Sequence, residues 1–354
     1  MTSRERFRRT FAHVAPDRVP MQEAPWDSTV ERWRTEGLPD GVSPGEYFQL
    51  DVVRGIGADN SPRYEAKVLE ETDEYVVRTT SWGVTLKNWT HAGGVPEFLD
   101  FTVTDRDAWQ AAKERIRPDE DRVDWEALEK NYSRWQEEGA WITAHGWFGY
   151  DVAASWFVGT ELLLMAMVTD PDWCADIFQH MCKVQLELFD RVWDRGYRFD
   201  CLRWPDDLGY RNGLFFSPQT YRDVLKPVHK YACDWAHEKG AVVMLHSCGN
   251  VTDLLPDLLE AGIDGLNPFE IKAGMDPVEV KRTFGDRLVI EGGIDTRLMS
   301  DPEAIENEIR TKLPILKENG GYIFHSDHSV PDTVGLDDYQ RVVELVREYG
   351  RFEA

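Results

Sequence analysis

Val242 to Asn250 reads Val-Val-Met-Leu-His-Ser-Cys-Gly-Asn: four apolar residues, a histidine, a cysteine two positions on, and a glycine that closes the run. A short apolar segment that stops at a polar, Gly-bearing loop and is flanked by amphipathic helical patterns is the mark of a buried parallel strand. The unit recurs at Trp141 to His145, Phe199 to Trp204, Gly265 to Pro268, Leu288 to Glu291 and Tyr322 to His325. Between these runs, Ser217-Pro218, Asp170-Pro171 and Asp301-Pro302 place a capping residue before a proline suited to the first helical turn. Gly196, Gly240 and Gly262 fall where helices end. An earlier strand, Arg18 to Gln22, follows a basic N-terminal helix, and an eighth is expected near the segment that comes next. Alternating strands and helices in this number predict an α/β fold, a (β/α)8 TIM barrel with an N-terminal helical extension.

Residues 62 to 90 have a different period. Tyr64 to Leu69, Glu74 to Thr80 and Val84 to Trp89 alternate like antiparallel strands, which predicts an inserted β-meander. No low-complexity linker divides the 354 residues, so one barrel domain spanning 1–354 is expected.

Acidic residues outnumber basic ones by 64 to 40, giving a net charge of −24, and no stretch clusters Lys or Arg in the way a phosphate backbone requires. Nucleic acid and anionic membrane are therefore not expected partners. The start lacks a signal-peptide pattern and no run of about 18 apolar residues occurs, so the expectation is a cytoplasmic protein. Five scattered Cys without a CxxC do not form a disulfide framework. Phosphate-cradling glycine loops, GxSxG and HExxH are missing, which disfavours nucleotide cofactors and serine-hydrolase chemistry.

In a (β/α)8 barrel, chemistry gathers at the C-terminal ends of the strands. The strand-end residues here are Gln22, Glu23, His145, Asp206, Asp207, His246, Cys248, Asn267, Glu270, Glu291, Asp295, His325, Asp327 and His328. In extended backbone His246 and Cys248 point to the same side, and zinc accepts imidazole nitrogen together with thiolate sulfur. His328 is the expected third ligand, and Glu270 a fourth ligand or an acid–base group. The bland alternative makes His246 a satisfied barrel histidine and Cys248 a buried thiol. A second histidine-rich loop, in a chain with only nine His, weighs against it. Asp206 and Asp207 can serve as a general base or bind polar ligand groups, and His145 is ambiguous in the same way. Trp147 and Tyr150, with Asn267, are expected to line the pocket for a flat or apolar ligand.

These motifs resemble the uroporphyrinogen decarboxylase superfamily, and more closely its zinc-dependent branch of the methylcobamide:coenzyme M methyltransferase type. The resemblance covers most of the chain. It is carried by Asp-Asp-Leu-Gly with Ser-Pro-Gln-Thr-Tyr and Lys-Pro-Val-His-Lys (206–230), Leu-His-Ser-Cys-Gly-Asn (245–250) and Gly-Ile-Asp-Gly-Leu-Asn-Pro-Phe-Glu (262–270). Gly-Gly-Ile-Asp (292–295) and Gly-Gly-Tyr-Ile-Phe with its Pro-Asp-Thr tail (320–333) complete the order. True uroporphyrinogen decarboxylases hold their polycarboxylate substrate with an Arg-bearing segment after the first strand. This chain has Gln22-Glu23-Ala24-Pro25-Trp26 there, which would repel that substrate. In the methyltransferase branch a His-x-Cys pair and a later Cys hold the metal, which maps onto His246 and Cys248, with His328 where the later Cys should fall.

The resemblance implies zinc-dependent methyl transfer between a corrinoid on a small partner protein and a small acceptor or donor such as a thiol. The alternative is a metal-dependent decarboxylase or lyase acting on a small carboxylate without a corrinoid partner, with Asp206 or Asp207 as proton donor. A third reading, a barrel that only binds a ligand, fits poorly with so many reactive groups at one face.

Overall fold

The computed structural model describes residues 1–90 and 95–352. Seven strands form one parallel sheet in sequential order: β1 (Val53–Gly57), β2 (Trp141–His145), β3 (Cys201–Pro205), β4 (Val242–His246), β5 (Gly265–Asn267), β6 (Val289–Glu291) and β7 (Tyr322–Ile323). Most match the sequence expectation within two residues. The eighth strand is β1, directly ahead of the inserted meander. The segment expected as a strand from Arg18 to Gln22 is reduced to a bridge between Met21 and Phe324.

That bridge closes the barrel. Phe324 N donates to Pro20 O at 2.8 Å and Gln22 N to Phe324 O at 3.0 Å, while Asp51 N donates to Met21 O at 2.9 Å on the other side. Pro20 has no N–H to offer a ladder, and Met21 N turns to the Asp51 carboxylate at 2.8 Å. Asp51 also accepts from Ser3, Arg6 and Arg18, so one buried carboxylate stands in for a second strand edge.

Strand periodicity sorts side chains between bore and shell. Ile142, Leu202, Val243, Leu245, Leu266 and Ile290 face the helices in the main core. Trp141, Cys201, Met244, Val289 and Ile323 turn inward at the bottom of the bore, where Phe7 of the N-terminal helix joins them. Phe7 stacks on Trp141 at 5.3 Å and 17°. One step higher the inward positions become polar: Thr143 and His145, Arg203 and Glu291 line a small void of 40 Å³. The floor of the barrel is thus apolar and its mouth reactive.

The insertion is a four-stranded antiparallel sheet, Val68–Glu71, Tyr75–Thr79, Thr85–Trp89 and Glu97–Asp100. It extends past the expected limit at residue 90. Its fourth strand, Glu-Phe-Leu-Asp, is short and largely exposed, so it carries no strong alternation to read. Helix starts follow the caps: Asp301 accepts from Glu303 and Ala304 N, and Ser217 from Thr220 N. Asp170 precedes its helix without capping it, because its carboxylate pairs with Arg106. Among the described residues no helix is long and apolar enough to cross a membrane.

Candidate metal centre at the barrel mouth

The loop after β3 and the turn after β4 are fastened along their backbones. Asp206 N donates to His246 O at 2.8 Å, Leu208 N to Ser247 Oγ at 3.0 Å, and Cys248 N to Asp207 Oδ1 at 2.7 Å. The approach demands glycine: Gly249 has φ +78°, and a Cβ there would come within 2.3 Å of the Gly209 backbone. This zipper brings His246 Nε2 to 3.5 Å from Cys248 Sγ and 3.8 Å from Asp207 Oδ1. Donor atoms of Asp207, His246 and Cys248 all lie within 4.8 Å of one another, and all three residues are half-buried.

Burial and neighbouring carboxylates shift the ionisation of these groups. Burial, and then the charges of Asp207 and Glu270, push the Cys248 thiol well above its ordinary range. Burial holds His246 below its ordinary value against the opposing pull of Asp207. Asp151, at the start of the helix Tyr150–Trp156, is pushed up to about 7 by burial and then by Asp207 and Asp206. Arg203 cannot discharge this cluster, since its guanidinium is bonded to Glu291 at 2.9 Å and to Asn267 at 2.7 Å. A sulfur, a nitrogen and a carboxylate oxygen within reach of one point fit zinc, which would bind the thiol as thiolate.

The other expected residues occupy varied places. Glu270 lies beside Cys248, with Lys272 Nζ at 3.8 Å. Asn267 is buried and its Oδ1 stands 2.6 Å from His246 Nδ1. His145 keeps solvent contact at the mouth, yet the surrounding protein atoms and then Arg203 hold it down to about 4. Asp206 turns away from its neighbour Asp207. It is fully buried, bonded to His229 Nε2 at 2.8 Å and to Asp151 N at 2.8 Å, and His229 in turn meets the Tyr221 hydroxyl at 3.1 Å. Trp147 packs on Trp156 at 5.8 Å, and Tyr150 is buried against Phe216 at 5.0 Å and Phe215 at 5.9 Å. His328 sits beside Trp26 at 5.8 Å and is not one of the three clustered donors; Asp207 is.

Sequence reading missed Asp151 and Arg203. Asp151 follows an aromatic loop and has no strand-end position to flag it. Arg203 had a signal: it lies two positions after Cys201 on β3, the parity that faces the bore.

The chain belongs to the uroporphyrinogen decarboxylase family, whose model, described as Uroporphyrinogen decarboxylase (URO-D), matches residues 152–349. Among its relatives is the methylcobamide:CoM methyltransferase MtaA of Methanosarcina barkeri, 28% identical over 134 residues, which are 38% of each chain. Another is the uroporphyrinogen decarboxylase of Arthrobacter sp. (strain FB24), 26% identical over 176 residues, 49% of this chain and 46% of that one. The matched stretch is thus less than half the length of either relative. A solved methyltransferase from Methanosarcina mazei superposes with a TM-score of 0.65 over 99% of both chains at 15% identity, and shares the barrel fold.

Proposed function

We propose that the chain is a zinc-dependent methyltransferase that moves a methyl group between a corrinoid, carried on a small partner protein, and a small acceptor or donor such as a thiol. The observation that carries the reading is the convergence of Asp207, His246 and Cys248 at the C-terminal ends of β3 and β4. The name of the Methanosarcina barkeri relative supports the reaction class, and the sulfur-bearing donor set supports the metal. When bound, zinc supplies the Lewis acidity that keeps a substrate thiol ionised at neutral pH.

The protein's own groups would do the rest. Asp207 and the Cys248 thiolate offset the charge of the cation, and His246 contributes a neutral nitrogen. The backbone zipper between Asp206–Leu208 and His246–Cys248 holds these donors in place before the metal arrives. Tyr150, Phe215 and Phe216 pack together, Trp147 packs on Trp156, and the partner would cap this end of the barrel. His328, beside Trp26, stands outside this donor set.

Metal analysis of the purified chain by plasma mass spectrometry, beside a chelator-treated control, tests the reading. About one zinc per chain is expected, together with a methylcobalamin absorbance change that requires a thiol. No metal after reconstitution with zinc would overturn it. A second reading is a metal-dependent decarboxylase or lyase on a small carboxylate. It is favoured by the carboxyl cluster Asp151, Asp207 and Glu270 and by the decarboxylase among the relatives. Carbon dioxide release without any corrinoid would select it.

A further inference from the structure

The bore beneath the candidate metal centre holds side chains that no ligand role uses. Arg203 on β3 and Glu291 on β6 meet across it, with Nη1 at 2.9 and 3.3 Å from the two carboxylate oxygens of Glu291, which is only 1% exposed. Gln22 Nε2 donates to the same carboxylate at 3.3 Å. The other end of the guanidinium, Nη2, donates to Asn267 Oδ1 at 2.7 Å, and that same oxygen lies 2.6 Å from His246 Nδ1.

Counting hydrogens along this chain leaves one solution. A guanidinium has donors only, so the Asn267 atom facing it is the carbonyl oxygen. The amide nitrogen of Asn267 then faces the Glu291 carbonyl at 3.4 Å, an acceptor, and both ends of the side chain agree. An oxygen acceptor cannot bond a bare ring nitrogen, so His246 Nδ1 carries the hydrogen. In the neutral imidazole the lone pair is on Nε2, the nitrogen 3.5 Å from Cys248 Sγ and 3.8 Å from Asp207 Oδ1.

We propose that Arg203, anchored by Glu291, is a positioning residue that acts through Asn267 to fix His246 in the Nδ1–H tautomer, presenting Nε2 to a divalent cation. Neither Arg203 nor Asn267 touches the cation; each constrains the one that does. Without the guanidinium only the 3.4 Å contact to the Glu291 carbonyl opposes turning the Asn267 amide over to offer Nδ2–H to Nδ1. That favours the opposite tautomer, whose Nε2–H leaves no lone pair facing Cys248. The inference rests on the metal reading above for the use of Nε2, but not for the tautomer itself.

The experiment is a long-range 1H–15N correlation spectrum of the metal-free chain labelled at histidine nitrogen, with His246 assigned from a His246→Gln sample. Zinc titrations of the same chains accompany it. The wild type is expected to show His246 as Nδ1–H. Asn267→Leu, and Arg203→Gln combined with Glu291→Gln, should mix the tautomers and weaken zinc about 10- to 100-fold, the usual effect of losing such a partner. Asn267→Asp keeps an oxygen acceptor and should retain both the tautomer and zinc affinity within about threefold. An Nε2–H tautomer in the wild type would overturn the proposal. So would Asn267→Leu binding zinc as tightly as the wild type. Should the Leu variant not fold, the wild-type spectrum and Asn267→Asp still decide. A wild type with the Nδ1–H tautomer that takes up no zinc sinks the metal reading and leaves the relay standing.

Discussion

Two short histidine-bearing segments follow strands β4 and β7 of the same barrel, His246-Ser-Cys248 and His325-Ser-Asp-His328, and they are put to opposite uses. In the first, the backbone is fastened by neighbouring loops, so His246 Nε2 and Cys248 Sγ face each other at 3.5 Å and meet Asp207. In the second, the side chains do the fastening. His325 Nδ1 donates to Ser326 O at 2.8 Å, Ser326 Oγ donates to Glu23 at 2.8 Å, and Asp327 accepts from Thr296 N and Oγ at 3.0 Å and from Ile271 N at 3.2 Å. The same residue types make a candidate ligand set where the backbone is held by others, and a structural brace where they must hold it themselves.

The sharpest way to break this comparison is Cys248→Ala. Its zinc affinity is expected to fall by at least about 100-fold, a change of about 2.7 kcal/mol, while circular dichroism and unfolding of the metal-free chain stay as in the wild type. Zinc retained at full stoichiometry would remove Cys248 from the site. On the brace side the effect should move from metal to stability. Asp327→Ala leaves the buried Thr296 and Ile271 amides without their acceptor and should lower unfolding free energy by about 2 to 4 kcal/mol in a urea titration, with zinc content unchanged. Asp207→Asn removes one charged donor while keeping its shape, and an intermediate loss of about 10-fold in zinc affinity is expected by titration calorimetry. The smallest effect is assigned to His328→Ala, within about threefold of wild-type zinc affinity in the same measurement. A loss comparable to that of Cys248→Ala would instead put His328 in the ligand set and make Asp207 its bystander.

The fold was legible because parallel strands bury both faces, so runs such as Val242–His246 stand out from their surroundings as apolar blocks. Arg18 to Gln22 reads as a full strand but makes only a bridge, since Pro20 has no N–H and Met21 N turns to the Asp51 carboxylate. The Glu97–Asp100 strand hid because it is exposed on the edge of the insertion. At the site, His246 and Cys248 could be paired from local geometry alone, because two residues two apart on an extended chain share a side. Asp207 could be named as reactive but not placed with them, since its position depends on a loop-to-loop hydrogen bond to Cys248 N that no spacing encodes. Asp206 and Asp207 look equivalent in sequence, yet one packs against His229 in the core and the other faces the mouth.

The single bridge that closes the barrel joins Met21 to Phe324, near opposite ends of the chain. The Met21 segment must wait for the chain to reach Phe324 before its partner exists, and closing so long a loop is the entropically slow kind of step. Until then Asp51 and its three arginine- and serine-bearing neighbours can assemble the N-terminal corner, with Phe7 stacked on Trp141, but the bore remains an open trough along the edge that Phe324 closes.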